Sequence, residues 1–309
     1  MKKLTRFIFA CVLLCASLGH AQDMLFADHP LAGKLWDANS GGFIDEATLL
    51  SHLNSVDVLL LGEIHDNPQH HEFQQKLLQA RIDAGARPAL LMEQLDSESQ
   101  PALNAALAIA NRDEALSAVN GLIKFSNWQA YTRLLSTAYD KQLPVIAGNV
   151  PSQRLQPVIW RGFGALEANE LKRLAIEEVW SNSRQQYMLK NMGGAHCGQL
   201  RDELREGLTR SQRLRDALLV DSALGNLERG IVGIMGRDHA RKDVGLPLYF
   251  AARAPTARVL TIGMLEVQPG STSPEAYLGE SATEKPPYDV IWFSARVDRP
   301  NPCAEMNKQ

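Results

Sequence analysis

Val58-Leu59-Leu60-Leu61-Gly62-Glu63-Ile64-His65-Asp66-Asn67-Pro68 is the stretch whose reading decides the fold. The apolar run Val56–Leu61 enters a Gly-Glu-x-His turn without any polar alternation, and helical periodicity begins soon after, at about His70. A strand that is apolar on both sides suits a sheet covered on both faces. The turn that follows such a strand is where an open parallel sheet gathers its ligands.

The same pattern recurs outward along the chain. Ala89–Met92, Val145–Ala147, Ile231–Met235, Val259–Ile262 and Val290–Phe293 are short β-branched or leucine-rich runs that predict buried strands. Phe73–Ala84, Gln100–Ala110, Trp128–Tyr139 and Val244–Ala252 carry helical periodicity between them. Strands alternating with helices imply right-handed crossovers, hence an α/β fold with a largely parallel sheet flanked by helices. From about Pro151 to Gly230 the rhythm breaks, with helices expected over Glu167–Trp180, Arg184–Asn191 and Gln199–Leu224 and Gly193-Gly194 separating the last two. The expected organisation is a sheet domain over residues 22–150 and 231–309, with a smaller all-helical insertion over 151–230. Pro269–Pro287, rich in Pro, Ser, Glu and Gly, reads as an exposed loop before the last strand.

The first residues, Met1-Lys2-Lys3-Leu4-Thr5-Arg6, precede the apolar run Phe7–Leu18 and then Gly19-His20-Ala21. A basic start, a short apolar run and small residues at −3 and −1 predict a cleaved export signal over residues 1–21 and a periplasmic protein. Leu14 before Cys15 fits a lipid-modification signal poorly, and Ala10 before Cys11 comes too early, so lipid anchoring to the outer membrane is the minority expectation. Loss of Lys2, Lys3 and Arg6 turns 32 basic residues into 29, against 35 acidic ones, a formal charge of −6. That balance argues against nucleic acid as a partner, because phosphate binding needs a basic face. With Cys11 and Cys15 in the signal, only Cys197 and Cys303 remain, and in an oxidising compartment they most simply pair as one disulfide.

Polar groups recur where the expected strands end. Glu63 and His65 end the first, Glu93 the second, Asn149 the third, and Arg237-Asp238-His239 the fourth. Carboxylate, imidazole and amide groups thereby gather at one rim. His70 and His71 fall near a helix N-terminus, where a carboxylate or phosphate of a ligand is favoured. Gln212-Arg213-Leu214-Arg215-Asp216 reads instead as a solvated or ion-paired helix face.

Gly62-Glu63-Ile64-His65-Asp66-Asn67 has companions in Trp128, Asn149, Ala195-His196-Cys197-Gly198, Gln212-x-x-Arg215-Asp216, Asp238-His239 with Gly245-Leu246-Pro247, and Asp289-x-Ile291-Trp292-Phe293 with Asn301-Pro302-Cys303. In this order the chain resembles the ChaN-like haem-binding (lipo)protein family, within a superfamily that includes TraB, Tiki and erythromycin-esterase proteins. The resemblance implies haem binding in iron uptake or storage, with two stacked haems held in a homodimer. It also implies a tyrosine on each iron, a partner-chain histidine at the propionates, and an outer-membrane haem receptor or periplasmic carrier as a further partner. The wider superfamily points to Glu63, His65, Glu93 and His239 as a cluster that holds a divalent metal or acts in hydrolysis.

The ligating tyrosine matches no motif, leaving Tyr131, Tyr139, Tyr187, Tyr249, Tyr277 and Tyr288. A phenolate ligand needs solvent access and a neighbouring cation. Tyr131 and Tyr139 share a helix with Leu134 and Leu135, and Tyr249 lies between Leu248 and Phe250, all core-like settings. Tyr187, among Arg184, Met188 and Lys190, fits better, and His196 beside the Gly193-Gly194 pair is a candidate for a propionate. Two functions compete at this point: a haem-binding protein, or a hydrolase with Glu63 or Glu93 as base.

Overall fold

The computed structural model describes residues 24–123, 128–195, 197–301 and 303–304; the expected export signal and His196 lie outside them. In chain order the elements are β1 (Met24–Leu25), β2 (Leu35–Asp37), β3 (Gly42–Ile44), α1 (Glu46–Leu53), β4 (Val58–Glu63), α2 (Pro68–Asp83), β5 (Ala89–Asp96), α3 (Gln100–Leu107), α4 (Arg112–Asn120), α5 (Thr132–Asp140) and β6 (Val145–Asn149). Then follow α6 (Ser152–Arg161), α7 (Ala168–Arg173), α8 (Asn182–Ala195), α9 (Asp202–Ala223), β7 (Ile231–Gly236), α10 (Leu246–Arg253), β8 (Val259–Glu266), β9 (Val290–Ser294) and β10 (Arg296–Val297).

Eight strands form one sheet in the order β3-β2-β9-β8-β4-β7-β5-β6. The pairings from β9 through β6 are parallel, and β2 joins both β3 and β9 antiparallel. Alternate residues of each central strand enter opposite cores. Leu59 and Leu61 of β4 pack with Leu77 and Leu78 of α2 and with α1, α3, α4 and α5, whereas Val58 and Leu60 pack toward α6, α9 and α10. Full burial of one such leucine contributes roughly 1.5–3 kcal/mol, which explains why β4 shows no polar alternation in sequence.

Strand β4 is also where the connections diverge. The chain leaves it for β5 on one side, and later runs from β7 through α10 to β8 on the other. A crevice opens at such a switch point beyond the strand carboxyl ends. Gly62 permits the close approach there, since a Cβ at that position would lie 2.8 Å from the Arg237 Cα and 2.9 Å from the Ala240 Cβ.

Several sequence expectations need correction. Helix α8 runs through Gly193 and Gly194 to Ala195, so the glycines do not separate two helices. A helical glycine costs only about 1 kcal/mol, and packing of α8 against α9 overrides it. The expected helix over Glu167–Trp180 shrinks to α7, because Ala175 takes a left-handed conformation (φ 53°). Helix α2 begins at Pro68, two residues before the expected start, with the Asn67 side chain accepting from the Gln69 amide at 3.0 Å. No helix among the described residues is long and apolar enough to cross a membrane.

Candidate functional site

A cavity of about 1040 Å³ opens over the carboxyl ends of β4, β5, β7 and β8. At its floor the Glu63 carboxylate is completely buried. His65 Nδ1 at 2.8 Å, the Tyr131 hydroxyl at 2.5 Å and Gln94 Nε2 at 3.1 Å reach its Oε1. Gln74 Nε2 donates to Oε2 at 2.7 Å, and His71 Nε2 lies 3.4 Å from the same oxygen. Burial alone would keep this carboxyl protonated, but the hydrogen bonds and charges of His65 and His71 outweigh it and hold it well below the usual carboxylate range. The same carboxylate, together with burial, pushes the Tyr131 hydroxyl far above its ordinary value, so Tyr131 acts only as a donor.

His65 faces the cavity with 38% of its side chain exposed. Burial opposes its protonation, yet the hydrogen bond and charge of Glu63, with Glu93 beyond, raise its pKa. An ionised Glu63 fixes the hydrogen on Nδ1 and turns the Nε2 edge toward Gly236. A Cβ at Gly236 would lie 3.1 Å from His65 Nε2 and 3.6 Å from Glu93 Oε2, so the bare glycine leaves room for the ring.

A second buried group adjoins the first. Glu93 Oε2 accepts the Gly236 amide at 2.7 Å, and its Oε1 lies 3.2 Å from His239 Nε2. His239 Nδ1 is bonded to Asp216 in turn. Burial disfavours charge on His239, but the two carboxylates outweigh it and raise its pKa to about 10. Burial lifts Asp216 to about 6 even against the pull of His239. The irregular pairing of β5 with β6 between Met92 and Asp96 delivers Glu93 and Gln94, neighbours in sequence, into one site. Bulges of this kind re-aim side chains.

The C-terminal tail forms one wall. Arg299 donates to Asp66 at 2.7 and 2.9 Å and to Glu266 at 2.7 and 2.8 Å. Beyond it, a disulfide joins Cys303 to Cys197, just past α8.

Glu63, His65, Glu93 and His239 therefore come together as an acid–histidine cluster. His70 and His71 do not present themselves to a ligand. Both are buried, and His70 accepts the Ile64 amide at Nδ1 (2.9 Å) while Nε2 bonds Ser294 Oγ at 2.8 Å. Asn149 is absent from the cavity lining, because β6 is the sheet edge, two strands beyond β7, and its Oδ1 accepts the Val150 amide. Tyr187 is half-buried under Arg241, whose guanidinium stands 4.7 Å over its ring. Burial raises its hydroxyl to about 12, against the pull of Arg241. Among the described residues no group of three or more His, Cys, Asp and Glu is arranged to hold a metal ion. The physical reason is visible in the two clusters, where the carboxylates and His239 already spend their lone pairs and protons on each other.

Sequence reasoning missed Tyr131 and misread Gln212 and Asp216. Tyr131 is indeed buried, but its hydroxyl serves Glu63. Asp216 lies inside the protein on His239, and the Gln212 amide stands 3.1 Å from that ring. The available signal was an acid one helical turn after a glutamine on an otherwise apolar face.

Comparison with known proteins agrees with this architecture. A family model described as haem-binding uptake, Tiki superfamily, ChaN matches residues 49–250. A solved structure described as cofacial heme binding to ChaN of Campylobacter jejuni is similar at 18% identity and a TM-score of 0.67, covering 84% of this chain and 95% of that one. An erythromycin esterase variant in its open conformation and a Bacillus cereus protein each align over 82% of this chain, and over 94% and 92% of theirs, at 12% and 11% identity, both with a TM-score of 0.45. No curated protein matches the chain. With more than half of its length matched by the family model, the chain belongs to the ChaN haem-binding uptake family of the Tiki superfamily.

Proposed function

We propose that this protein binds haem and acts in haem or iron uptake or storage in the periplasm. The family match over residues 49–250, which include most of the cavity floor, is the observation that carries the proposal. Haem has an apolar macrocycle, carboxylate arms and an iron that takes an axial ligand. The cavity, at about 1040 Å³, is large enough, since ligand pockets run roughly 300–1,000 Å³. Ile64, Val267 and Pro269 supply apolar wall. His65, with Nδ1 held by a buried carboxylate, has the backing that orients metal-ligating histidines. The donor set thus fits haem, and the bound group would supply a redox-active iron. His65 from the floor would hold that iron, with Tyr187, which stands outside the cavity lining under Arg241, as the alternative.

Haemin titration tests the proposal. Saturable binding with a Soret band is expected for wild type, and loss of the iron-ligation spectrum in His65→Ala or in Tyr187→Phe names the ligand. Weak, non-saturating binding at micromolar protein would overturn the reading. Loading is expected to bring two copies together, which sedimentation with and without haemin would detect. Transfer to an outer-membrane receptor or periplasmic carrier, and membrane attachment by a lipid, belong to the same proposal.

One observation favours a second reading, a metal-free hydrolase. The 2.8 Å bond between Glu63 and His65 Nδ1 is the orientation a general base requires. In that reading His65 takes the proton of an attacking water. Turnover on ester or amide panels, abolished in His65→Ala, is the expected result; wild-type inactivity across both panels would remove this reading.

A further inference from the structure

The carboxylates around the cavity floor already have donors within the protein. Glu63 has the four hydrogen-bond donors described above, Glu93 has His239 and the Gly236 amide, and Arg299 serves both Asp66 and Glu266. The guanidinium groups are distributed differently. Arg299 is consumed, whereas Arg237 has only Asp238, at 4.0 Å, with both side chains about half exposed. Arg296 also lines the cavity, and no hydrogen bond or ion pair of its side chain occurs among the described residues. An exposed pair like Arg237–Asp238 is weak and leaves most of the cation's binding capacity available.

The two arginines are presented on fixed backbone. The Arg237 amide donates to the Glu63 carbonyl at 2.9 Å, and its carbonyl accepts the Tyr288 hydroxyl at 3.1 Å. Arg296 pairs with Leu25 in the β1–β10 ribbon. The residues beside it are tied down as well, through the Ala295 amide to Gln69 at 2.9 Å and the Val297 amide to Glu266 at 3.1 Å. One cation thus comes from the end of β7 and the other from the C-terminal tail, and both line one cavity.

We propose that Arg237 and Arg296 form a carboxylate-recognition pair in the strand-end cavity, selecting an amphipathic ligand that bears carboxylate arms. The inference rests on the haem reading, under which those arms are the two propionates. Guanidinium groups suit this role because their planar fork matches a carboxylate.

The test measures three ligands on the full exported chain: haemin, metal-free protoporphyrin IX, and haemin dimethyl ester. Binding is followed by absorbance and, independently, by quenching of protein fluorescence. Wild type is expected to bind the first two with saturation and the ester more weakly. Arg237→Ala and Arg296→Ala are each expected to weaken haemin and protoporphyrin IX by roughly tenfold, and the double variant by about a hundredfold, the range for hydrogen bonds to charged groups. The ester should bind the variants and wild type alike. A thermal melt of the double variant, expected to match wild type because both side chains reach solvent, separates lost recognition from lost fold. Saturable haemin binding that neither substitution nor esterification changes would overturn the inference while leaving the haem reading intact. Absence of saturable haemin binding in wild type would overturn both.

Discussion

At His65 a single hydrogen bond separates a histidine that merely fills space from one held for use. Glu63 accepts it, is kept ionised by His65 and His71 against its burial, and also accepts from α2, from β5 and from Tyr131. Glu63→Gln is expected to lower the His65 pKa, read by NMR titration, because the charge that outweighs burial disappears. The same substitution should destabilise the fold by about 3–5 kcal/mol, the cost of breaking a buried charged network, measured by urea unfolding. Gly236→Ala tests the space beside the ring. Its Cβ would meet His65 Nε2 at 3.1 Å, so the imidazole must shift; a cost of roughly 1–3 kcal/mol is expected for such overpacking, with haemin binding weakened. Residue identities were only partly legible in sequence. Glu63, His65, Glu93 and His239 stand at strand ends, where position alone marks them. Tyr131 and Asp216 stand inside helical patterns that look like core or surface, and only tertiary packing reveals which atom the hydroxyl or carboxylate meets.

Among the elements, those with a long or strongly apolar pattern were the legible ones. Val58–Glu63, Ala89–Asp96 and Ile231–Gly236 match their expected strands to within a few residues, because burial on both faces forbids polar alternation. The strands β1, β2, β3 and β10 span only two or three residues and carry no period to read. The tail that contains β10 is held at its far end by the disulfide, which closes a sequence separation of 106 residues. A loop of about that length corresponds to roughly 4–5 kcal/mol of lost unfolded-state entropy. The double variant Cys197→Ser, Cys303→Ser is therefore expected to unfold at lower urea, with wild type in a strong thiol reductant behaving alike. Because the tail carries Arg296 and Arg299, the same variant should bind haemin more weakly. An unchanged urea midpoint would show that the tail is held by its other contacts.

Over the whole molecule, buried ionisable groups give the stability a shape in pH. Burial pulls His70 down to about 3 from an ordinary 6.5, so the unfolded chain takes up that proton first. Its contribution is complete above pH 6.5 and declines as pH falls toward 3. Glu93 is pushed up by burial but held at about 2 by His239, so its contribution is present above about pH 4.5 and lost as pH falls through 2. His239, raised to about 10, acts oppositely: its contribution is present below pH 6.5 and lost as pH rises through 10. Asp216, raised to about 6, favours the fold below pH 3.8 and withdraws that support as pH rises through 6. Acid unfolding should therefore begin on a histidine, before the carboxylates titrate. His70→Asn is expected to flatten the fall in urea midpoint between about pH 6.5 and 4.5; an unchanged slope there would assign the acid limb to other groups.

The pairing of β1 with β10 sets Met24 opposite Val297 and Leu25 opposite Arg296. Whatever precedes residue 24 thus emerges beside the strand that carries one cavity arginine, and Cys303 follows only a few residues later in the chain. Any lipid carried ahead of that point would tether the protein through the strand that pairs with β10. A run of histidines fused there would stand near the cavity as a competing iron ligand, so purification with a cleavable or non-coordinating handle is part of measuring what this protein binds.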